Sequence, residues 1–297
     1  MTRRAAMAGM IAAASAMLAG CASTTVTALN VLEPGSGVTL IRDIAYAAGP
    51  RHELDVYAPR RTDTPAPVVV FLYGGGWDSG EKSIYRFVGK ALASHGYVVV
   101  IPDYRIFPDL YPSFLQDSAL AVRWARDHAK AYGGDPHALF LAGHSAGAYN
   151  AVMLGLDQRW LGAVGMDPKR DIKGVVGLAG PYDFLPLQSA RLKEIFGPED
   201  RRPDTQPINH VSPGAPPMFL AHDAGDTVVA VKNTNNLAAK LQASGDTVDT
   251  HIYTGLDHAR LVGVIASPLR FMGPVFRDLT AFIDAQSSSR KDHKAAA

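Results

Sequence analysis

Cysteine is all but missing from this sequence. Cys21 is the only one in 297 residues, so no disulfide can form within the chain. Charge is also sparse. Lys, Arg, Asp and Glu make up 19% of the residues and leave a net charge of +1. No basic block occurs beyond the first few residues, which excludes a nucleic-acid surface. No internal repeat is present. The one long apolar run, Ala5 to Ala19, is too short to be a comfortable membrane span. What remains is a globular balance, 47% hydrophobic, with enough apolar material for one large core.

The N-terminus reads as a targeting segment. Arg3 and Arg4 precede the apolar run, and residues 1–20 have the n-region and h-region of a signal peptide. Leu18-Ala19-Gly20-Cys21 resembles the lipobox of bacterial lipoproteins. That resemblance implies lipid on Cys21 and a membrane-anchored protein of the bacterial cell envelope, facing the periplasm. The twin arginines raise Tat export, but no Phe or Leu follows in the expected place. Removing residues 1–20 removes two positive charges and takes the net charge from +1 to −1. Residues 21–36 read as a flexible tether, 37–287 as one catalytic domain and 288–297 as a frayed tail.

In the body, apolar runs alternate with helical patterns. VTLIRDIAYA and HELDVYA read as an antiparallel pair. PVVVFLY and YVVVIPD are continuous β-branched runs, as strands buried on both faces should be. ALFLAG, IKGVVGLAG, PMFLAHD and TVDTHIYTG are further strands. Between the first two β-branched runs lies a helix closed by Gly96. Ser113 to Tyr132 is the clearest helix, with a capping box at Ser113 and Gln116 and a stop at Gly133. Alternating β and α predicts an α/β fold with a mostly parallel sheet wrapped on both faces. Ligands of such sheets sit at the carboxyl ends of strands.

FLYGGGWDSGEKS, at residues 71–83, poses a choice between phosphate binding and oxyanion binding. A P-loop places Lys directly after the last Gly. Here Glu81 intervenes between Gly80 and Lys82 and sets a carboxylate where phosphate would bind, which argues against nucleotide binding.

Gly143-His144-Ser145-Ala146-Gly147 lies between an apolar strand and a run of small residues. This is the strand–turn–helix context of a nucleophile elbow, with Ser145 as nucleophile. The acid and then the histidine follow in chain order. His251 falls inside a strand and His293 in the tail. His258 sits just past a strand end, where a site belongs. Asp226, in the turn after PMFLAHD, is favoured over Asp223 and Asp257.

YGGGW, PDYR, GHSAG, GDTVV and GLDH together resemble the α/β-hydrolase carboxylesterases with an HGGGW-type oxyanion loop. These include bacterial feruloyl-esterase-like and kynurenine-formamidase-like members. The resemblance spans roughly residues 50 to 286. It implies a serine esterase acting on small-molecule esters, without metal or organic cofactor. Backbone N–H groups of Gly74, Gly75 and Ala146 would form the oxyanion hole. Tyr73 replaces the family's usual His as a brace for the loop, and Tyr73 and Trp77 are assigned to the substrate pocket. Asp103 and Arg105 read as an ion pair or turn that supports the loops. Residues 181–216 read as a small cap over the pocket. An amidase, formamidase or peptidase of the same fold, or a non-catalytic envelope binding protein, are the rival readings.

Overall fold

A computed structural model describes residues 28–288. The signal peptide, Cys21 and residues 289–297 of the tail lie outside the described residues. Eight strands form one sheet: β1 Val38–Ala45, β2 Glu53–Pro59, β3 Ala66–Leu72, β4 Val98–Pro102, β5 Gly134–His144, β6 Ile172–Leu178, β7 Met218–Asp223 and β8 Val248–Tyr253. Their order is β1-β2-β4-β3-β5-β6-β7-β8. β2 runs antiparallel to β1 and β4, and all other neighbours are parallel. The central strands carry Val68, Val69, Val70, Val98, Val99 and Val100 with almost no exposure. That is why they lack an alternating pattern: helices cover both faces.

Six helices position the site: α1 Arg86–His95, α2 Ser113–His128, α3 Ala146–Leu156, α4 Lys232–Ala243, α5 His258–Gly263 and α6 Val275–Ser288. Gly96 and Gly133 take left-handed conformations and end the α1 and α2 segments, as predicted. Every residue of α3 is buried, so this helix is small and apolar on all sides. The topology is that of the α/β-hydrolase fold.

Four expectations are corrected. Ser113 is not a cap: Pro112 occupies that position, and the Ser113 hydroxyl finds no acceptor. The tether does not extend to residue 36. Residues 28–32 form a helical turn, with Leu29 buried, and Asn30 is fixed by the backbone of Ser83 and Phe87. The apolar and amide side chains hidden among small polar residues anchor this stretch. At the other end, α6 continues through Ser288, the first residue assigned to the tail.

Asp103 and Arg105 do not pair with each other. Arg105 forks onto Asp117 of α2, with Nη2 to Oδ1 at 2.7 Å and Nε to Oδ2 at 2.9 Å. Asp103 instead accepts the Lys82 N–H at 2.8 Å. The Asp117 side chain is 0% exposed while that of Arg105 is 30% exposed, so the pair is only partly buried. Losing a charge-assisted hydrogen bond of this kind costs about 1–3 kcal/mol. Asp117→Ala is expected to lose stability in that range in urea titrations. A loss below about 1 kcal/mol would show the pair to be ornamental.

Candidate active site

β5 ends at His144 and α3 begins at Ala146, leaving Ser145 alone in the turn. Its φ of 54° and ψ of −123° are rare for a residue with a side chain, a strain of about 1–3 kcal/mol. Two glycines make the turn possible. A Cβ on Gly143 would overlap the Gly147 carbonyl, and a Cβ on Gly147 would overlap the Leu72 carbonyl. The Ser145 N–H donates to the Leu178 carbonyl at 2.8 Å, which pins the turn to β6. As the first residue of α3, Ala146 has an N–H with no intrahelical acceptor.

Asp226 follows β7. Its Oδ1 accepts the N–H groups of Val228 and Val229 at 2.8 and 2.9 Å. Its Oδ2 accepts from His258 Nδ1 at 2.7 Å, and His222 Nε2 lies 3.2 Å away. Burial works to raise the Asp226 pKa. The Val229 N–H and the His258 ring outweigh it, and the carboxyl is held below its ordinary value. The rivals are spoken for. Asp223 binds the N–H groups of Leu256 and Gly225, fixing the loop that carries His258. Asp257 caps α5 through Ala259 and Arg260. His251 lies in β8 against Phe219 and pairs with Asp249.

Ser145 and His258 face one cavity of about 1130 Å³, together with Gly74, Gly75 and Gly76. Gly75 has φ +146°, and a Cβ there would run into the Ser79 carbonyl, so only glycine fits. A Cβ on Gly74 would come 3.0 Å from that of Ser145, which shows how closely the loop approaches the serine. The Gly74 N–H, however, donates to the Tyr85 hydroxyl at 3.2 Å. It is therefore removed from the expected set of oxyanion donors.

Three further expectations fail here. Neither Tyr73 nor Trp77 lines the cavity. Trp77 is 2% exposed, packed among Phe114, Tyr149, Phe184 and Phe196, and its Nε1 donates to Asn150. Tyr73 is fully buried beneath the loop, stacked on Tyr104 with ring centroids 4.5 Å apart. Its hydroxyl accepts from Arg51 Nη2 at 2.5 Å, and the same nitrogen donates to the Gly80 carbonyl at 2.8 Å. The brace exists, but an arginine carries it from the phenol to the loop. Residues 181–216 also contribute no wall to the cavity. Phe184 and Phe196 instead cover Trp77 from the far side.

Sequence reasoning missed Tyr85 and His144. His144 Nε2 lies 3.0 Å from the His258 carbonyl. A carbonyl only accepts, so Nε2 carries the proton and Nδ1 must accept. Tyr85 supplies that hydrogen bond at 3.0 Å, and the Tyr85 oxygen in turn accepts from Gly74. One directed chain thus runs Gly74, Tyr85, His144, His258. Burial, with the neighbouring His258, pushes the His144 pKa down to about 3, and burial lifts that of Tyr85 to about 12. Both groups stay neutral. The signal was present: His144 fills the first variable position of G-H-S-A-G, directly beside Ser145.

Comparison with known proteins agrees with this architecture. The BD-FAE family model matches residues 54–241. The chain is 29% identical over 270 residues to isoprenylcysteine alpha-carbonyl methylesterase ICME of Arabidopsis thaliana, covering 83% of this chain and 62% of that protein. It is 30% identical over 221 residues to esterase LipC of Mycobacterium tuberculosis, covering 68% of this chain and 55% of that protein. Kynurenine formamidase of Salmo salar is 32% identical over 206 residues, covering 68% of this chain and 65% of that protein. The chain therefore spans about half to two thirds of the length of these relatives. Among solved structures, esterase B from Lactobacillus rhamnosis shares the fold with a TM-score of 0.80 at 22% identity, covering 97% of this chain and 99% of that one.

The neutral His144 has a consequence for acid stability. Its folded pKa is depressed, and burial depresses that of His222 as well. Between pH 6.5, the ordinary value, and about 3, the unfolded chain binds protons that folded His144 refuses. Stability is therefore full above pH 6.5 and falls as the pH drops through this window. Each histidine contributes at most about 1.4 kcal/mol per pH unit. His144→Gln should make the decline between pH 6 and pH 4 shallower by up to that amount, measured by urea unfolding. Equal slopes for the two proteins would contradict a neutral, buried His144.

Proposed function

We propose, for a chain that belongs to the BD-FAE family, that it is a carboxylic ester hydrolase with Ser145 as nucleophile, His258 as general base and Asp226 as its orienter. The observation that carries this reading is the 2.7 Å contact of Asp226 with His258 Nδ1 beside a cavity shared with Ser145. With Nδ1 committed to the carboxylate, Nε2 is the nitrogen that takes the Ser145 proton. The serine oxygen then attacks the ester carbonyl. The oxyanion that develops is met by the N–H groups of Ala146 and Gly75. His258 returns the proton to the departing alcohol, and water, activated by the same imidazole, releases the acid from the acyl-enzyme. Asp226 stays ionised because its hydrogen bonds and His258 favour the charged form.

The likeness to a kynurenine formamidase keeps amide or formamide cleavage as a second reading. A panel of p-nitrophenyl acyl esters, a feruloyl ester and N-formylkynurenine separates the two. We also propose that Cys21 carries lipid and holds the protein in the bacterial cell envelope, supported by the Leu-Ala-Gly-Cys stretch.

Ser145→Ala should fold and lose at least about 10⁴-fold in kcat on p-nitrophenyl butyrate. Full turnover by the purified variant, or no fluorophosphonate label on the wild type, would overturn the assignment. Asp226→Asn should also cost about 10³-fold or more, whereas Asp257→Asn should cost far less, because it only caps a short helix. The reverse ranking would move the acid.

Cys21→Ser is expected to release the protein from membranes of a Gram-negative host or to leave the precursor uncleaved. A free Cys21 thiol on a processed, soluble wild-type chain, seen by mass spectrometry, would exclude the anchor.

A further inference from the structure

The cavity at Ser145 is larger than the reacting atoms need, and its walls differ in chemistry. The glycine loop, Ser145 and His258 form one part. Leu40 and Arg42 of β1, and Arg86 and Lys90 of α1, form another. Three lysine and arginine side chains thus face the space, and they are not equivalent. Lys90 gives its Nζ to the carbonyls of Asn30 and Glu33, at 2.7 and 3.2 Å. Lys82, nearby, is already bound by Asp43 and Asp55. Arg42 and Arg86 have no ion pair or hydrogen-bond partner among the described residues. Arg42 is exposed. Arg86 is half-buried, and its Nε is sealed from solvent with nothing to donate to.

That sealed Nε is out of reach of a ligand, so what Arg86 can offer the cavity is its terminal guanidinium nitrogens, as Arg42 does. The nearby carboxylates do not pair with them. Glu81 is the acid that lines the cavity, and its carboxylate takes the Ser83 hydroxyl. Asp43 is engaged by Lys82, though it lies near enough for both arginines to lower its pKa. Guanidinium groups pair in a fork with carboxylate or phosphate oxygens, which matches what this wall lacks. Leu40, Ile84, Val31 and Val228 give the same cavity an apolar lining.

We propose that Arg42 and Arg86 form an anion subsite in this cavity, so that the favoured substrates are esters carrying a carboxylate or phosphate beyond an aliphatic spacer. The inference rests on the hydrolase reading and names the substrate class for it. The apolar stretch would hold the spacer. The arginines would fix the charged end and set the ester against Ser145.

The test compares matched pairs of p-nitrophenyl esters on the full chain: hemiglutarate against valerate, hemisuberate against octanoate, and a phosphonoalkanoate against its neutral diester. At low salt at least one charged ester should exceed its neutral partner by about tenfold or more in kcat/KM. Sodium chloride should shrink that ratio. In Arg86→Gln and Arg42→Gln the ratio should fall, and in the double variant approach unity, while Arg86→Lys should keep part of it. The carboxylate and phosphonate arms tell which anion is preferred. If Arg86→Gln fails to fold, Arg42→Gln, at an exposed position, carries the test. Neutral esters turned over with no charged preference, or a preference unchanged in the double variant, would overturn the subsite and leave the esterase standing. No turnover of any ester, with no fluorophosphonate label on Ser145, would take both readings down.

Discussion

The site depends on how closely α3 approaches the sheet. Gly147 lies against the Leu72 carbonyl of β3, and Gly143 against the backbone of Gly147 itself. No side chain fits at either place. That contact holds Ser145 at a positive φ, because the strand before it and the helix after it are both immovable. The same approach brings the glycine loop, which continues directly from β3, within touching distance of the serine. A looser helix would let the turn relax and would withdraw the Ala146 N–H from the carbonyl it is proposed to meet.

Beneath that loop the structure invests in charge. Arg51 joins the Tyr73 hydroxyl, the Tyr104 carbonyl and the Gly80 carbonyl, while Asp103 takes the Lys82 N–H and sits 3.8 Å from Arg51. Glycines give the loop its reach at the cost of chain entropy. Hydrogen bonds from a half-buried guanidinium to two carbonyls are one way to hold so flexible a segment in one conformation. Tyr73 takes part without touching the loop: its side chain ends on the arginine, which in turn holds the loop.

Much of this was legible in the sequence. Continuous valine runs marked the buried parallel strands, and the glycine spacing around Ser145 marked the elbow, because both patterns answer to local sterics. The turn position that favours Asp226 over Asp223 and Asp257 as the proposed acid is likewise a local feature. The failures share a cause. Trp77 and Tyr73 neighbour the loop in sequence, and residues 181–216 are a long excursion between strands, yet none of them lines the cavity, and Phe184 and Phe196 pack on Trp77 instead. Tyr85 and Arg51 were invisible for the converse reason: their partners lie 11 and 22 residues away or more, and only the folded sheet brings them together. Ser113 shows that a capping pattern yields when proline takes the cap position.

The neutral state of His144 is what makes the arrangement chemically coherent. Two imidazoles with ring centroids 4.8 Å apart compete for any proton brought near them. His258 has the Asp226 carboxylate against its Nδ1, whereas His144 has only a phenol and a carbonyl, and is fully enclosed. Desolvation penalises charge on the enclosed ring. In the proposed reaction the serine proton must reside on His258 alone. A charge on His144 would repel that imidazolium and would cost His144 the acceptor that holds Tyr85, and with it Gly74. In that reaction burial of His144 would reserve the proton for His258, and the same neutral ring ties the glycine loop to the His258 backbone.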